Sequence, residues 1–255
     1  MIPKKIHYCW FGRGEMPNLA KKCIKSWKKY CPDFEIKEWN EDNFDLNLYP
    51  YAREAYDNRK FAFVADVVRL YALFHEGGIY MDTDVEVLKP FDSFLTHTAF
   101  GGFEDDEKVS TGIIASIKGG KWAKENLDYY NGRHFLKEDE LFDLTTNVVT
   151  ITNYMVQYGL KKDNTFQDFP DFFTIYPKEY FSPITYEDMK LYKTKNTVCI
   201  HHFAGSWVSE GWKKAHAEEV FRKNHKYLYV LWRYGYMAPK HRLIRLVKYW
   251  DKLKS

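Results

Sequence analysis

The sequence predicts an α/β fold, and three observations support this prediction. The chain begins as strand, loop, helix and strand, with residues 6–11 alternating, residues 19–30 amphipathic and a second strand at residues 34–39. Further along, an apolar helix ends at two glycines and is followed by a short apolar strand, residues 79–81, of the kind buried in a parallel sheet. Two carboxylates follow that strand, at the position where open α/β sheets gather ligands.

Length and composition are those of a globular protein. The chain has 255 residues, enough to bury a sizeable core, with 45% hydrophobic and 29% charged residues. Aromatic residues make up 18%; most of these rings must lie in the core, and the rest can stack on sugars or bases. A net charge of +3 argues against a polyanion binder, so no nucleic acid partner is expected. We expect one core domain, residues 1–212, and a helical extension packed on it, residues 213–255.

The cysteines and the N-terminus favour a cytoplasmic protein. Cys9, Cys23, Cys31 and Cys199 form no C-x-x-C pair, so we expect buried free thiols, which fit a reducing compartment. The first residues have no apolar core typical of a secretory signal, and no apolar run is long enough to span a bilayer.

The central helix, which begins near residue 61, is apolar on nearly every face and carries two charges. Asp66 and Arg69 stand three residues apart, on one helical face. A buried charged pair usually has a partner or a function. The alternative is a purely structural salt bridge.

Asp82 and Asp84 follow the apolar strand, and alternation along a strand would point both to the same side. Such a pair suits Mg²⁺ or Mn²⁺, which take oxygen ligands and complete their shell with water and substrate phosphates. A metal held in this way can neutralise a departing diphosphate. In a surface loop the same spacing is more often solvated, but the preceding buried strand favours a metal site.

The remaining elements are read from shorter patterns. Residues 99–103 and 112–116 predict strands, and the acidic run 104–107 between them predicts a solvated loop, with a role near the acceptor as the alternative. Helices are expected at residues 121–130 and from a cap within Thr145-Thr146-Asn147 to Tyr158. A last apolar strand is expected at residues 197–202. Trp10, at the end of the first strand, is either a core residue or a platform for a base.

Four segments together resemble a known family: IPKKIHYCWFG, the helix with Asp66 and Arg69, GGIYMDTDVEV, and HHFAGSW. They are similar to the DXD-motif glycosyltransferases of the capsular-polysaccharide and yeast α-1,6-mannosyltransferase type, glycosyltransferase family 32. The glucosyltransferase domains of large clostridial toxins are similar in the same places. The resemblance spans about residues 2–212 and implies a GT-A-type, Rossmann-like nucleotide-binding fold.

The resemblance also implies an activity. A sugar would pass from a nucleotide-diphosphate donor, preferably a UDP-sugar and alternatively a GDP-sugar, to a saccharide or lipid-linked saccharide. Anomeric configuration would be retained, and the context would be bacterial surface polysaccharide, capsular polysaccharide or lipopolysaccharide.

The resemblance assigns roles residue by residue. Asp84 and Asp82 would hold Mn²⁺ or Mg²⁺, Asp82 through water or by holding the ribose and sugar. A third metal ligand would come from the last strand, with His202 slightly preferred over His201. The remaining residues would bind the donor: Asp66 and Arg69 its sugar, Trp10 its base, and Ser206 and Trp207 its diphosphate, the last two as a closing lid.

Other functions remain as alternatives. A phosphatase with a nucleophilic D-x-D aspartate is disfavoured because Glu86 stands where that motif has Thr or Val. A binding module without catalysis could lose a metal ligand, yet both carboxylates are present. An effector that glycosylates a host protein would share the chemistry but differ in acceptor.

The C-terminus is basic and aromatic, and two interpretations of it stay open. From residue 222 to the end there are ten lysines and arginines against one acid, Asp251. These residues form either a peripheral contact with anionic lipid on the inner face of the membrane, or a helix pair whose charges are solvated.

Overall fold

A computed structural model describes residues 1–185, 188–205 and 210–230. The chain divides into two compact units. The first contains Met1–Ile184 and Leu191–Trp207, and the second contains Thr185–Lys190 and Val208–Ser255. The predicted lid residues Ser206 and Trp207, and the basic residues after position 230, lie outside the described ranges.

Within those ranges the helices are α1 Asn18–Tyr30, α2 Pro50–Asp57, α3 Phe61–Glu76, α4 Lys121–Asp128, α5 Asn147–Gln157, α6 Glu210–Asn224 and α7 Lys226–Val230. The strands are β1 Lys5–Cys9, β2 Glu35–Trp39, β3 Gly78–Met81, β4 Val85–Val87, β5 Ala99–Phe103, β6 Val109–Ser116, β7 Gln167–Phe169, β8 Phe173–Tyr176, β9 Ile184–Thr185, β10 Lys190–Leu191 and β11 Cys199–His201. The described part of the C-terminal region contains the helices α6 and α7. No helix in the described ranges is both long and apolar enough to cross a membrane.

The main sheet has the strand order β2-β1-β3-β6-β5-β8-β7, which confirms the α/β class. β1 pairs in parallel with β2 and with β3. The sheet is nevertheless mixed, because β6 runs antiparallel to both β3 and β5. The prediction of a parallel environment for β3 therefore holds on one side only. Two antiparallel steps restore the direction, so β5 runs parallel to β3 and β1, and their carboxyl ends share one edge of the sheet.

Helix α3 is buried along most of its length, as its apolar composition predicts. It ends at Gly77, whose φ is 69°, in the left-handed region that glycine adopts without strain. A Cβ on Gly77 would lie 2.5 Å from the backbone nitrogen of Lys118, so a larger residue does not fit. The chain can therefore turn directly from α3 into β3.

Strands β4 and β11 form a separate two-stranded ribbon. This ribbon positions His201. In this antiparallel pair Cys199 lies opposite Val87, and His201 lies opposite Val85. Helix α1 holds the ribbon in place, because the fully buried indole of Trp27 donates a hydrogen bond to the carbonyl oxygen of Val85 at 2.7 Å. The hydroxyl of Ser26 accepts one from the backbone of Val87 at 2.8 Å.

The Trp27→Phe substitution tests this attachment. It removes the indole N–H but keeps an aromatic ring, and we expect the free energy of unfolding to fall by about 1–3 kcal/mol, because a buried carbonyl loses a partner. Urea denaturation gives the measurement. Lys28→Ala, one residue along on the exposed face, is the control and should change stability by less than about 0.5 kcal/mol. Equal losses in the two variants would contradict the assignment.

Candidate metal centre

Asp82 and Asp84 lie on a tight turn between β3 and β4. The backbone N–H of Val85 donates to the carbonyl of Asp82 at 3.0 Å, which closes the turn, and β3 ends before Asp82. The predicted strand alternation is therefore not what brings the two carboxylates together. The turn does so, and both side chains converge on the same place.

His201 completes the cluster from the neighbouring ribbon strand. Its Nε2 atom lies 3.3 Å from a carboxylate oxygen of Asp84 and 3.9 Å from one of Asp82. One ligand atom from each of these three residues lies within 4.8 Å of the others, the geometry of a group that can hold a metal ion. The pairing of β11 with β4 causes this, since it sets His201 beside the turn.

The preference for His202 as third ligand does not match this geometry. His202 points to the other side of β11, where its Nε2 atom lies 3.0 Å from Glu86, which also pairs with Lys22 at 3.0 Å. Successive residues of a strand face opposite sides, so only one of the two histidines can face the carboxylates. Of the two histidines, His201 is the one that lies with Asp82 and Asp84.

Gly112 of β6 provides the space for this arrangement. The backbone N–H of Asp82 donates to the carbonyl of Gly112 at 2.8 Å. A Cβ on Gly112 would lie 2.8 Å from the ring of His201 and 3.3 Å from the carboxylate of Asp82. Any side chain here would displace the imidazole, so a glycine is required at this position.

The charges of the cluster stabilise one another. Burial alone would lower the pKa of His201, but the carboxylates of Asp84, Asp82 and Glu104 outweigh it and raise that pKa to about 9. Burial alone would raise the pKa of Asp84, but His201 and the backbone N–H of Ala204, 2.7 Å away, lower it to about 2. The imidazolium therefore occupies the position of a cation between the carboxylates.

Arg69 links α3 to the same cluster. Its guanidinium lies 3.1 Å from Asp66 and 3.6 Å from Asp82, and it donates to the carbonyl of Thr111 at 2.9 Å. The guanidinium also lies over the ring of Tyr80, 4.7 Å from its centroid. The Tyr80 hydroxyl in turn donates to Asp82 at 2.9 Å. The predicted Asp66–Arg69 pair exists and is buried, and it belongs to a network that reaches the turn.

Asp66 also contacts the first turn of α5. The backbone N–H of Asn147 donates to its carboxylate at 3.2 Å. Burial raises the pKa of Asp66 to about 6, although Arg69 and Asn147 both oppose the change. The side-chain oxygen of Asn147 is buried and has no hydrogen-bond partner in the described ranges. Asp66 thus lies between Arg69 and the start of α5.

Trp10 follows β1, which neighbours β3 in the sheet. Its indole N–H donates to the carbonyl of Gly14 at 2.7 Å, which fixes the ring, and the side chain is only partly buried. Because β1 and β3 are parallel, Trp10 and Asp82 emerge at the same edge. A partly exposed, fixed ring is suited to stacking on a planar group.

The donor set fits a hard divalent cation. Two carboxylates and one imidazole are ligands that Mn²⁺ accepts, and Mg²⁺ shares the preference for carboxylate oxygen. Three protein ligands leave positions for water or phosphate oxygens. Asp82 remains partly exposed, with 29% of its side-chain surface accessible, so a ligand can approach from solvent.

Sequence reasoning missed the roles of two residues near the site. Thr111 and Gly112 resemble a family turn near the acceptor, but the role of Gly112 beside His201 depends on tertiary packing. The acidic run predicts a solvated loop for Glu104, with a role near the acceptor as the alternative; in the structure Glu104 is partly buried and close enough for its charge to raise the pKa of His201. The available signal was its position directly after the apolar strand β5.

Comparisons with known proteins found similar glycosyltransferases. Residues 17–101 match the family described as "Glycosyltransferase sugar-binding region containing DXD motif". Inositol phosphoceramide mannosyltransferase 3 of Schizosaccharomyces pombe is 31% identical over 122 residues, which is 46% of this chain and 34% of the relative. An uncharacterised glycosyltransferase, L373, of Acanthamoeba polyphaga mimivirus is 29% identical over 156 residues, 59% of this chain and 62% of the relative.

Among solved structures, the PaToxG glycosyltransferase is similar, with a TM-score of 0.48 and 22% identity; the match covers 63% of this chain and 71% of that one. The chain spans about a third of the length of the fungal mannosyltransferases that it matches. The matched segment contains the Asp66–Arg69 pair and both aspartates of the turn. Residues 17–101 are therefore similar to the sugar-binding region of the glycosyltransferases that contain a DXD motif.

Proposed function

We propose that this protein is a metal-dependent glycosyltransferase that moves a sugar from a nucleoside diphosphate donor to a saccharide or lipid-linked saccharide acceptor. The observation that carries the proposal is the convergence of Asp82, Asp84 and His201 at the carboxyl edge of the sheet. These three residues would hold Mn²⁺ or Mg²⁺. When bound, the metal would neutralise the charge that develops on the leaving diphosphate.

The chain's own residues would bind and orient the donor. Asp66 would accept hydrogen bonds from sugar hydroxyls, and Arg69 would hold both Asp66 and Asp82 in place while its charge faces the sugar and phosphate. Trp10 would stack on the base, a contact worth about 1–3 kcal/mol. Ser206 and Trp207 would contact the diphosphate. Catalysis would then depend on positioning and charge stabilisation, and the proposed outcome is retention of anomeric configuration.

The donor sugar is the first property to determine. Relatives of this chain carry the name mannosyltransferase, so GDP-mannose joins the UDP-sugars in the first panel. We propose surface polysaccharide synthesis as the context, with a lipid-linked acceptor as one form of it; the inositol phosphoceramide named for the fungal relatives is an acceptor that contains a lipid.

Donor hydrolysis tests the proposal directly. We expect wild-type protein with Mn²⁺ to release nucleoside diphosphate slowly from one member of a UDP- and GDP-sugar panel. Asp84→Asn should reduce this rate at least about 100-fold, because the metal loses an anionic ligand. Asp92→Asn, at an exposed carboxylate paired with Lys4, is the control and should keep the wild-type rate. Failure of every donor to be hydrolysed would overturn the proposed function.

The two histidines form a matched pair for testing the metal site. We expect His201→Ala to weaken Mn²⁺ binding at least about 10-fold, and His202→Ala to leave it within about twofold, because only the first side chain faces the carboxylates. Calorimetric titration with Mn²⁺ gives both values. The opposite order would return the assignment to His202.

Proton release gives a third test. The pKa of His201 is about 9 without metal, so its ring is protonated near neutral pH, whereas a metal ligand must be unprotonated. We expect close to one proton released per Mn²⁺ bound at about pH 7, and an apparent affinity that rises about tenfold per pH unit from about 6 to 8. Titrations in buffers of different ionisation enthalpy measure this release. His201→Ala should abolish it, and undiminished release in that variant would exclude His201 as the source.

A further inference from the structure

Glu104 stands at the edge of the sheet that also carries the metal centre. It follows β5 directly, as Asp82 follows β3, and these two strands run in the same direction. Both residues therefore emerge at the same edge. Only β6 lies between the two strands, so Asp82 and Glu104 are separated by two strand spacings, roughly 10 Å.

The space between them has no side chain from Gly112. The pairing of β5 with β6 is irregular here. Gly101 pairs with Ile114 but Phe103 pairs with Val109, so an advance of two residues along β5 matches an advance of five residues along β6. The additional residues include Gly112, which packs against His201 and Asp82. Gly112 therefore places no side chain between the metal centre and Glu104.

Glu104 differs from the three acids that follow it. Asp105 pairs with Lys108 at 2.8 Å, Asp106 with Lys178 at 2.6 Å, and Glu107 with Lys162 at 3.4 Å. In the described ranges the carboxylate of Glu104 has no ion pair and no hydrogen bond, although its backbone N–H donates to the carbonyl of Lys108 at 2.7 Å. Ion pairs thus hold the three following acids of the loop, while the Glu104 carboxylate can accept a hydrogen bond from a ligand.

The surroundings of Glu104 are those of a functional group. It is partly buried, and burial raises its pKa against the opposing effect of His201. A partly buried carboxylate without a partner loses part of its hydration and forms no hydrogen bond or ion pair that would compensate. This is unfavourable unless a ligand supplies the missing interaction. The groups that face it on the side of the metal centre are His201 and Asp82.

We propose that Glu104 binds the attacking hydroxyl of the acceptor and accepts its proton; this assignment rests on the proposed function. The hydroxyl oxygen forms a bond to the anomeric carbon on the face from which the diphosphate leaves, so the configuration is retained. The bond from that carbon to the diphosphate oxygen breaks, and its electron pair leaves with the diphosphate. The proton passes to the Glu104 carboxylate, which returns it to solvent. Water takes the place of the acceptor hydroxyl when no acceptor is present, so donor hydrolysis follows the same route.

Hydrolysis of the donor without acceptor tests this role. We expect Glu104→Ala to lower kcat about 100-fold with the donor KM within about twofold, which is the range of a lost proton acceptor. Glu104→Gln should also lose activity, since an amide accepts a hydrogen bond but not the proton. Added formate should restore part of the rate of Glu104→Ala, because a small carboxylate can occupy the vacated space. Nitrate, which is not basic, should restore none.

The controls separate this inference from the proposed function. Glu107→Ala alters an exposed acid of the same loop and should keep the wild-type rate. Wild-type hydrolysis with no loss in Glu104→Ala would overturn the role of Glu104 and leave the proposed function intact. A tenfold loss of Mn²⁺ affinity in Glu104→Ala would also overturn it, by assigning Glu104 to the metal site. Absence of hydrolysis in the wild type would overturn both.

Discussion

Carboxylates that are brought together out of water repel one another, and this constraint governs the whole site. Asp66, Asp82, Asp84 and Glu104 surround one edge of the sheet, and cations must stand among them. Arg69 supplies a charge that no accessible pH removes. His201 supplies a positive charge that is lost when the imidazole is deprotonated. The site therefore combines a permanent cation, which fixes Asp66 and Asp82, with a replaceable one beside Asp84.

The mixed sheet positions these charges with few elements. Parallel β1, β3 and β5 deliver Trp10, Asp82 and Glu104 to a common edge, while the β4–β11 ribbon adds His201 from outside the main sheet. Helix α3 brings Arg69 beneath the turn. Apart from Asp66 and Arg69, which lie within α3, each of these side chains lies at or next to the end of a regular element. Their relative positions are thus set by backbone pairing and packing, and not by the conformation of a long loop.

Parts of this arrangement could be predicted from the sequence, and others could not, for identifiable reasons. Helix α3 and strand β3 are apolar runs of suitable length separated by glycine, so local pattern suffices. The turn at residues 82–84 was taken for strand because alternation cannot show where a strand stops. The choice between His201 and His202 depends on which of them lies on the side of the ribbon near Asp82 and Asp84. Tertiary packing determines this, and local sequence does not. Glu104 obeys the same rule that identified Asp82, but the acids after it made the segment look like a solvated loop; their lysine partners are visible only in the folded chain.

The separation of Asp82 and Asp84 from His201 along the chain has a consequence for how the protein is made. Ala204, which contacts Asp84 through its backbone, lies 120 residues after it. The two aspartates therefore leave the ribosome well before β11 does, and the main sheet can form around a pair of carboxylates that lack their third partner. Under the proposed function, tight retention of a metal ion would begin only once β11 has emerged and paired with β4. Synthesis from the N-terminus would thus delay metal binding until most of the first compact unit has been made.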